Sequence, residues 1–580
     1  MFRATYFIVL LICIMPIMPG ILGVMLSSLG YMPVIGFDQI TLAAYGTVLQ
    51  WPGVGRAIGS TLTSALVSTY LACAITFAIL QSLWMNKHWR KVELLLSPLL
   101  AMPHVAFAIG FAFLFSPTGL LARWANQWLM MGSDTHNAAW LIHDPYAAGL
   151  TIALALKEVP FLLLMSIPVL GQLNLPKLAQ VSHSLGYSCA QMWWKVVLPQ
   201  WLRKMRFPLF AVIAYGVSVV DLSLILGPTN PPTFAVMIWQ WFNDPDLNVL
   251  PRAAAGAVTL FAIASSLLLA VVVIEKAITQ FWSGWQYSGR AGLALPGKSV
   301  FTLSALLAAS MLPIMLMWSV AQRWRFPDLL PTSWSGRFWH NEWQNVLPTI
   351  SDSLLLALIA TTIALIAALV CHEYRLRSRL HVPGFVIALP MLIPQLSILF
   401  GLQIVTLSIN SDLYWVWTVW AHVFFAFPFV YLALDGPWRS YNLNYTKAAL
   451  SLGKSPLSVF FTIKARLLFP AICYAWAVGA SVSLAQYLPT LMLGAGRIAT
   501  ITTEAVALSS GFDRRVTAIY AIWQALLPFV FFSGALLLSR SVTRRATRQV
   551  SESAVSATLT SNAVKEDSTH DTLPQKPRHP

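Results

Sequence analysis

Between Asp352 and Cys371 the chain reads DSLLLALIATTIALIAALVC, with no charged side chain after Asp352. A helix needs about 20 mostly apolar residues to cross the hydrocarbon core of a bilayer. The stretch reads as such a helix, because an open sheet would leave backbone groups unpaired in lipid. It also has an echo. Asp352-Ser353-Leu354 and Ala357-Leu358-Ile359 repeat Ser60-Thr61-Leu62 and Ala65-Leu66-Val67 at an offset of 292 residues.

Further echoes lie on both sides. Pro103 and Gly110 recur as Pro394 and Gly401, at an offset of 291. Pro160-Phe161 recurs as Pro428-Phe429, at 268, and Leu185-Gly186 and Leu226-Gly227 recur as Leu452-Gly453 and Leu493-Gly494, both at 267. The offset falls from 291 to 268 in one place, the loop that begins SPTGLLARWANQW, so a single insertion accounts for it.

Twelve apolar stretches can be read along the chain. They lie at roughly 5–29, 59–83, 94–117, 146–170, 206–227 and 253–275, then 299–321, 349–371, 382–408, 412–435, 467–494 and 517–539. The expected fold is an all-α polytopic membrane protein, about 12 transmembrane helices arranged as two parallel six-helix repeats. Six is even, so both copies face the same way about an axis along the membrane normal. The boundaries are 1–290 for the first repeat, 291–298 for a linker, 299–548 for the second repeat, and 549–580 for a tail. The tail (SESAVSATLTSNAVKEDSTH and onward) is rich in Ser, Thr and charge and is expected to be disordered in the cytoplasm.

Composition agrees. Of 580 residues 57% are hydrophobic and 10% charged, where soluble domains carry about 25% charged residues. A soluble enzyme, a nucleic-acid binder or a disordered scaffold cannot cover that much apolar surface. The net charge of +16 invites a nucleic-acid reading, but its placement answers otherwise. With the N-terminus inside, 27 of the 37 Lys and Arg fall on inner loops and tails, nine on outer loops, and Lys157 within a stretch. That bias is the signature of membrane orientation, with both termini cytoplasmic. The first stretch is too long for a cleaved signal peptide and reads as a retained anchor behind Arg3. Cys13, Cys73, Cys189, Cys371 and Cys473 all fall in spans or inner loops, so no structural disulfide is expected.

Two inner loops, each between the fourth and fifth stretch of a half, run to about 30 residues. The first reads LNLPKLAQVSHSLGYSCAQMWWKVVLPQWLRK, the second NLNYTKAALSLGKSPLSVFFTIKARLLFP. In each, a short amphipathic segment meets a Leu-Gly pair and then a second apolar-basic segment. Glycine permits a tight turn between two short helices, and a short projecting helix suits a partner that offers a groove.

These loops resemble those of the membrane-spanning components of binding-protein-dependent ABC importers, whose signature is Glu-Ala-Ala, three residues, Gly, nine residues, then Ile-x-Leu-Pro. In the first half Leu185-Gly186 is followed at the right distance by Val196-Val197-Leu198-Pro199, while Gln180-Val181-Ser182 replaces Glu-Ala-Ala. In the second half Ala448, Ala449, Leu452-Gly453 and Ile463 match, and Lys447 replaces the acid. Neither half keeps the carboxylate. The resemblance covers roughly 50–275 and 345–540, and the fused arrangement looks like the permeases for ferric iron and thiamine. Asp221-Leu222-Ser223 with Thr233-Phe234 resembles the fifth-span region of the iron type. The resemblance implies an inner-membrane permease with the type I fold, two copies of a separate cytoplasmic ATP-binding subunit on these loops, a periplasmic solute-binding protein, and no cofactor in this chain beyond ATP on the partner.

One motif is a coincidence. Gly292 to Ser299 (GLALPGKS) fits the phosphate-loop pattern, but that chemistry needs a strand before and a helix after within a soluble nucleotide-binding domain. Here it sits in the linker.

Ionisable groups inside spans default to functional hypotheses. Lys157 and Glu158 precede Pro160-Phe161 in the fourth stretch; the second half has Phe425-Ala426 there, so the pair is no part of the repeat's plan. Either the pair lines a polar pathway or it fixes packing. Asp221, Gln395 and Gln486 are further pathway candidates, against interface or packing roles. His104 and His422 read as packed or interfacial, and Trp193 and Trp194 as lying on the membrane surface. No set of side chains has metal-ligand or nucleophile-base spacing, and no catalysis is expected in this chain. The functional reading is an ABC importer permease for a small solute. The rivals are an ion-coupled secondary transporter with two six-span halves, and a membrane enzyme or scaffold, which would need a clustered catalytic set.

Overall fold

The computed structural model of the chain describes residues 6–9, 11, 13, 15–129, 141–281, 283–288, 292–377, 387, 389–409, 412–511 and 513–567, with backbone alone beyond Ser541. Every one of the twelve apolar stretches is helical over most of its described length. Eight helices among the described residues are long and apolar enough to cross a membrane without interruption, and a ninth forms if Pro456–Leu467 and Phe469–Leu484, bent by 79°, count as one. The first and ninth stretches are the shorter apolar helices Ile17–Ser28 and Gln395–Leu407. The fifth is Leu198–Ser218, which carries Arg203, Lys204 and Arg206 in its first turns.

The interruptions obey the repeat. The sequence reads the third and ninth stretches as unbroken, yet the first leaves the helix at Met102 and restarts at His104 behind Pro103. The second restarts at Gln395 behind Pro394. A residue before proline is driven out of the helical region, so the pyrrolidine ring sets each break. The fifth and eleventh stretches are broken too. Leu198–Ser218 gives way to Asp221–Leu226 and then Phe234–Phe242, and Phe469–Leu484 gives way to Leu488–Leu493 and then Ile501–Ser509. Where helices stay whole, many hydroxyls inside them bond back to their own turn: Thr61 Oγ1 donates to the Ala57 carbonyl (2.8 Å) and Thr69 Oγ1 to that of Ala65 (2.7 Å). The helix thereby satisfies these two hydroxyls itself.

The first helix of each half packs against the other half. Gly20 and Gly23 meet Ile398 and Gly401, backbone to backbone, and Gly110 meets Met311. Gly20 aligns with Met311 and Gly110 with Gly401 at the offset of 291, so the two contacts are one contact made twice. Burial follows the exchange. A single core runs through both halves, joining Val24, Phe107 and Leu222 to Met311, Phe400 and Leu493. Nearer the Leu-Gly loops it divides. One branch gathers Phe77, Trp193 and Trp201 with Phe301 of the second half; the other gathers Tyr431, Trp438 and Ala364 with Tyr6 and Cys13 of the first. The halves are thus joined at one end and form two wings at the other, each wing borrowing its partner's first helix. Large apolar side chains such as Leu269, Leu303 and Leu537 stay exposed on the outside, the face a bilayer would cover.

At the joined end a short hairpin, Ala321–Arg323 paired antiparallel with Ser333–Trp334, follows the seventh stretch. Arg123 Nη1 donates to the carbonyls of Arg325 (2.8 Å) and Asp328 (2.7 Å), and Arg515 Nε to that of Ala321 (2.9 Å). The seventh helix opens at Gly297, two residues inside the expected linker. The last helix continues to Asp567, so the backbone over 549–567, expected as part of the disordered tail, is helical. No glycine or proline interrupts the sequence between Gly534 and Pro574. The rest of the tail lies outside the described residues.

Candidate docking elbows and transmembrane pathway

Each Leu-Gly loop folds into the same elbow. Helix Leu175–Ser184 ends at Leu185, and Gly186 takes φ +82°. The Gly186 N–H donates to the His183 carbonyl (3.0 Å) and the Tyr187 N–H to that of Ser182 (2.9 Å). Helix Leu443–Ser451 ends at Leu452, Gly453 takes φ +81°, and the Gly453 and Lys454 N–H groups reach Leu450 (3.0 Å) and Ala449 (3.2 Å). Both are Schellman turns, which need a left-handed residue after the cap and therefore glycine. Behind each turn a serine restarts the helix: Ser188 Oγ accepts from the Gln191 N–H and Ser455 Oγ from the Ser458 N–H. Both then pass through a five-residue π-helical turn, Trp193–Val197 and Phe460–Lys464.

The elbows display apolar side chains. Leu185 is 70% exposed and Leu452 82%, and Lys447 and Ala448 are exposed as well. Ala449 is buried, as is Ser182 at the same position of the first elbow, so these two anchor the short helices. Val196, Leu198, Pro199 and Ile463 are half-buried in the second limb. Trp193 is not on the membrane surface: it is buried against Phe77, ring centres 6.0 Å apart.

The elbows are tied down differently. In the second half Lys464 Nζ meets Glu373 Oε2 at 2.5 Å, with the Trp438 and Tyr441 ring centres 5.1 and 5.0 Å from the ammonium. Glu373 aligns with Gln81 at the offset of 292. In the first half the linker stands in for the ion pair. The Leu293 carbonyl accepts from both Trp194 Nε1 (2.9 Å) and Gln81 Nε2 (3.1 Å), while Lys195 Nζ donates to the Trp285 carbonyl (2.6 Å). The Leu295 N–H donates to Gln81 Oε1 (2.8 Å) and the Gly297 N–H to Ser82 Oγ (3.0 Å), so two amides of the GKS pattern are used in packing the linker against the second stretch.

The structure separates Lys157 from Glu158. The Lys157 ammonium donates to the Leu99 carbonyl (3.2 Å) and lines a small apolar crevice with Pro160, Phe301 and Ala305. Glu158 turns the other way, to within 3.7 Å of His104 Nε2. The His104 ring lies 5.0 Å from that of Tyr215. Asp221, which opens the short helix Asp221–Leu226 at the end of the fifth stretch, is within electrostatic reach of His104, Tyr215 and Tyr487. Tyr487 comes from the second half and stands 6.2 Å, ring to ring, from Trp239. Four broken or kinked stretches thus bring His104, Glu158, Tyr215, Asp221 and Tyr487 together where the halves meet. Gln395 aligns with His104 across the repeat and is half-buried. Gln486, next to Tyr487, is buried, and neither amide atom has a hydrogen-bond partner among the described residues. His422, by contrast, is packed, bonded to Ser483 (2.8 Å) and Thr490 (2.9 Å).

Sequence reading singled out Glu158 and Asp221, read His104 as packed or interfacial, and did not name Tyr215 and Tyr487. The available signal was the repeat register, which sets His104 opposite an already chosen residue, Gln395. The two tyrosines carried none.

This architecture defines a multi-pass membrane transport protein built of two parallel halves. No protein-family model matches the chain. It is 30% identical over 514 residues to the inner membrane ABC transporter permease protein YnjC of Escherichia coli K12, covering 87% of this chain and 92% of that one. The thiamine transport system permease protein ThiP of Haemophilus influenzae is 24% identical over 486 residues, 78% of this chain and 84% of its own. The putrescine transport system permease protein PotI of Escherichia coli K12 is 24% identical over 234 residues, which is 83% of its length but 37% of this chain. The chain belongs to the family of ABC transporter permeases and is a multi-pass inner-membrane permease subunit of an ABC importer. Such permeases work with an ATPase and a binding protein.

Proposed function

We propose that this chain forms the whole two-half pathway of its importer and that two copies of a separate ATP-hydrolysing subunit dock on its elbows. One copy sits at Leu185, Gly186, Val196, Leu198 and Pro199, the other at Lys447, Ala448, Ala449, Leu452, Gly453 and Ile463. The observation that carries this reading is the pair of identical Schellman turns, each presenting an exposed leucine. An exposed apolar side chain on a rigid turn is a surface built to be covered. The elbows and both termini face the cytoplasm, in keeping with the basic residues on that side. A periplasmic binding protein delivers solute at the joined end. ATP binding draws the docked subunits together, and each elbow passes the movement to its wing. The wings then rock about the shared core, so ATP favours one of two packings of the same helices. Glu158, Asp221, Gln395 and Gln486 line the route, and Lys157 braces the fourth stretch from outside it. The relatives' named cargoes, thiamine and putrescine, support a small organic solute here.

Co-expression with its ATPase subunit tests the docking. Leu185→Cys and Leu452→Cys should each form a disulfide to a cysteine placed in that subunit's groove, and the double variant two per chain. Cross-linking from neither position would refute the assignment.

A further inference from the structure

The polar cluster at the meeting of the halves is short of positive charge. Its carboxylates, Glu158 and Asp221, come from different helices, and neither pairs with a lysine or arginine among the described residues. Glu158 is 7% exposed and lies 3.7 Å from the His104 imidazole. Lys157 lies within electrostatic reach of Glu158 but spends its ammonium on the Leu99 carbonyl. Carboxylates held in a membrane without a counter-ion are costly and persist where function needs them.

Two further observations point to a ligand. Tyr487 is 8% exposed, lies within electrostatic reach of Asp221, and its hydroxyl has no hydrogen-bond partner among the described residues. The cluster also occurs once: Ala426 and Leu488 occupy the second-half positions of Glu158 and Asp221. A site for one molecule needs only one copy.

The chemistry left open is that of an acceptor-rich, ring-lined pocket. Four carboxylate oxygens and two phenols accept hydrogen bonds, and the rings of Tyr215, Tyr487 and Trp239 offer faces to a cation. No trio of His, Cys, Asp and Glu among the described residues is spaced to hold a metal ion, which favours an organic cation over a bare one. We propose that Glu158 and Asp221, with Tyr215, Tyr487 and His104, form a transit site for a positively charged organic solute, an amine or a quaternary nitrogen. The proposal rests on the reading of this chain as the solute pathway.

The experiment uses the full chain in membrane vesicles, with its five natural cysteines replaced and a single reporter at Tyr215→Cys or, separately, His104→Cys. Each reporter is labelled with a trimethylammonio-ethyl or a sulfonato-ethyl methanethiosulfonate, and rates are divided by those for a free thiol. Two carboxylates within several ångströms should favour the cationic reagent by at least about tenfold. Asp221→Asn with Glu158→Gln should bring the ratio near one. Brisk labelling by both reagents with no charge preference, or a preference that survives removal of both carboxylates, would overturn the cation site while leaving the pathway intact. Protection from both reagents at both positions would overturn the pathway reading, and this inference with it.

Discussion

Thr61 Oγ1 accepts the backbone N–H of Phe234 at 2.8 Å, from a helix 173 residues away in sequence. The repeat makes the bond twice: Ser353 Oγ accepts the N–H of Ile501, also at 2.8 Å. Each hydroxyl donates back to its own helix, Thr61 to Ala57 (2.8 Å) and Ser353 to Thr349 (2.6 Å). The second helix of each half thus caps the short helix that follows the broken fifth stretch. Removing the hydroxyl strands a buried N–H, which costs about 1–3 kcal/mol. Thr61→Val and Ser353→Ala should each lower the thermal unfolding midpoint in detergent. Because the sites are far apart, the losses should add in the double variant.

The exchanged first helices make an internal comparison possible. A side chain at Gly401 would come within 1.7 Å of the Gly20 carbonyl oxygen, whereas one at Gly110 would come within 2.7 Å of Met311 Cβ and 3.0 Å of its Sδ. The sulfur can swing aside, so the overlap at Gly401 is the deeper and the harder to relieve. Gly401→Ala is expected to cost about 2 kcal/mol or more and Gly110→Ala about 1, read as the difference between their unfolding midpoints.

The spans were legible because their physics is local: a run such as LLLALIATTIALIAALV leaves no other solution in lipid. The breaks at Met102 and Leu484 were not, since the apolar runs continue through them and only the proline ring or the next helix's packing ends the turn. The elbows were legible because Leu-Gly marks a left-handed cap and recurs at one offset. The polar cluster was half legible. A charge inside a span announces itself, but Tyr215 and Tyr487 are ordinary residues made special by helices that converge from opposite halves, and Trp193 looked interfacial only because Phe77 lies more than a hundred residues earlier.

Lys464 and Glu373 should respond unequally to loss of their partner. The Lys464 side chain is 3% exposed and that of Glu373 21%. Glu373→Gln leaves a buried ammonium uncompensated, at about 3 kcal/mol, eased by the rings of Trp438 and Tyr441. Lys464→Met leaves a carboxylate that water can reach, at about 1 kcal/mol. Pairing Lys464→Met with Glu373→Gln should recover most of the loss of Glu373→Gln alone in chemical unfolding.

At the elbows, Gly186→Ala and Gly453→Ala force a side chain into left-handed backbone, at about 1–2 kcal/mol each. Asparagine tolerates that region better. Hydrogen exchange at the Tyr187 and Lys454 amides should accelerate several-fold in the alanine variants and less in Gly186→Asn and Gly453→Asn.

The central claim is that the two elbows couple an external motor to the wings. The most direct measurement is solute uptake and ATP hydrolysis by the reconstituted complex carrying Gly186→Pro with Gly453→Pro, its insertion and amount verified. Proline cannot take the left-handed turn, so solute-stimulated hydrolysis and uptake should collapse together. Unchanged hydrolysis, or concentration of solute on an ion gradient by the permease without any ATPase, would contradict the account.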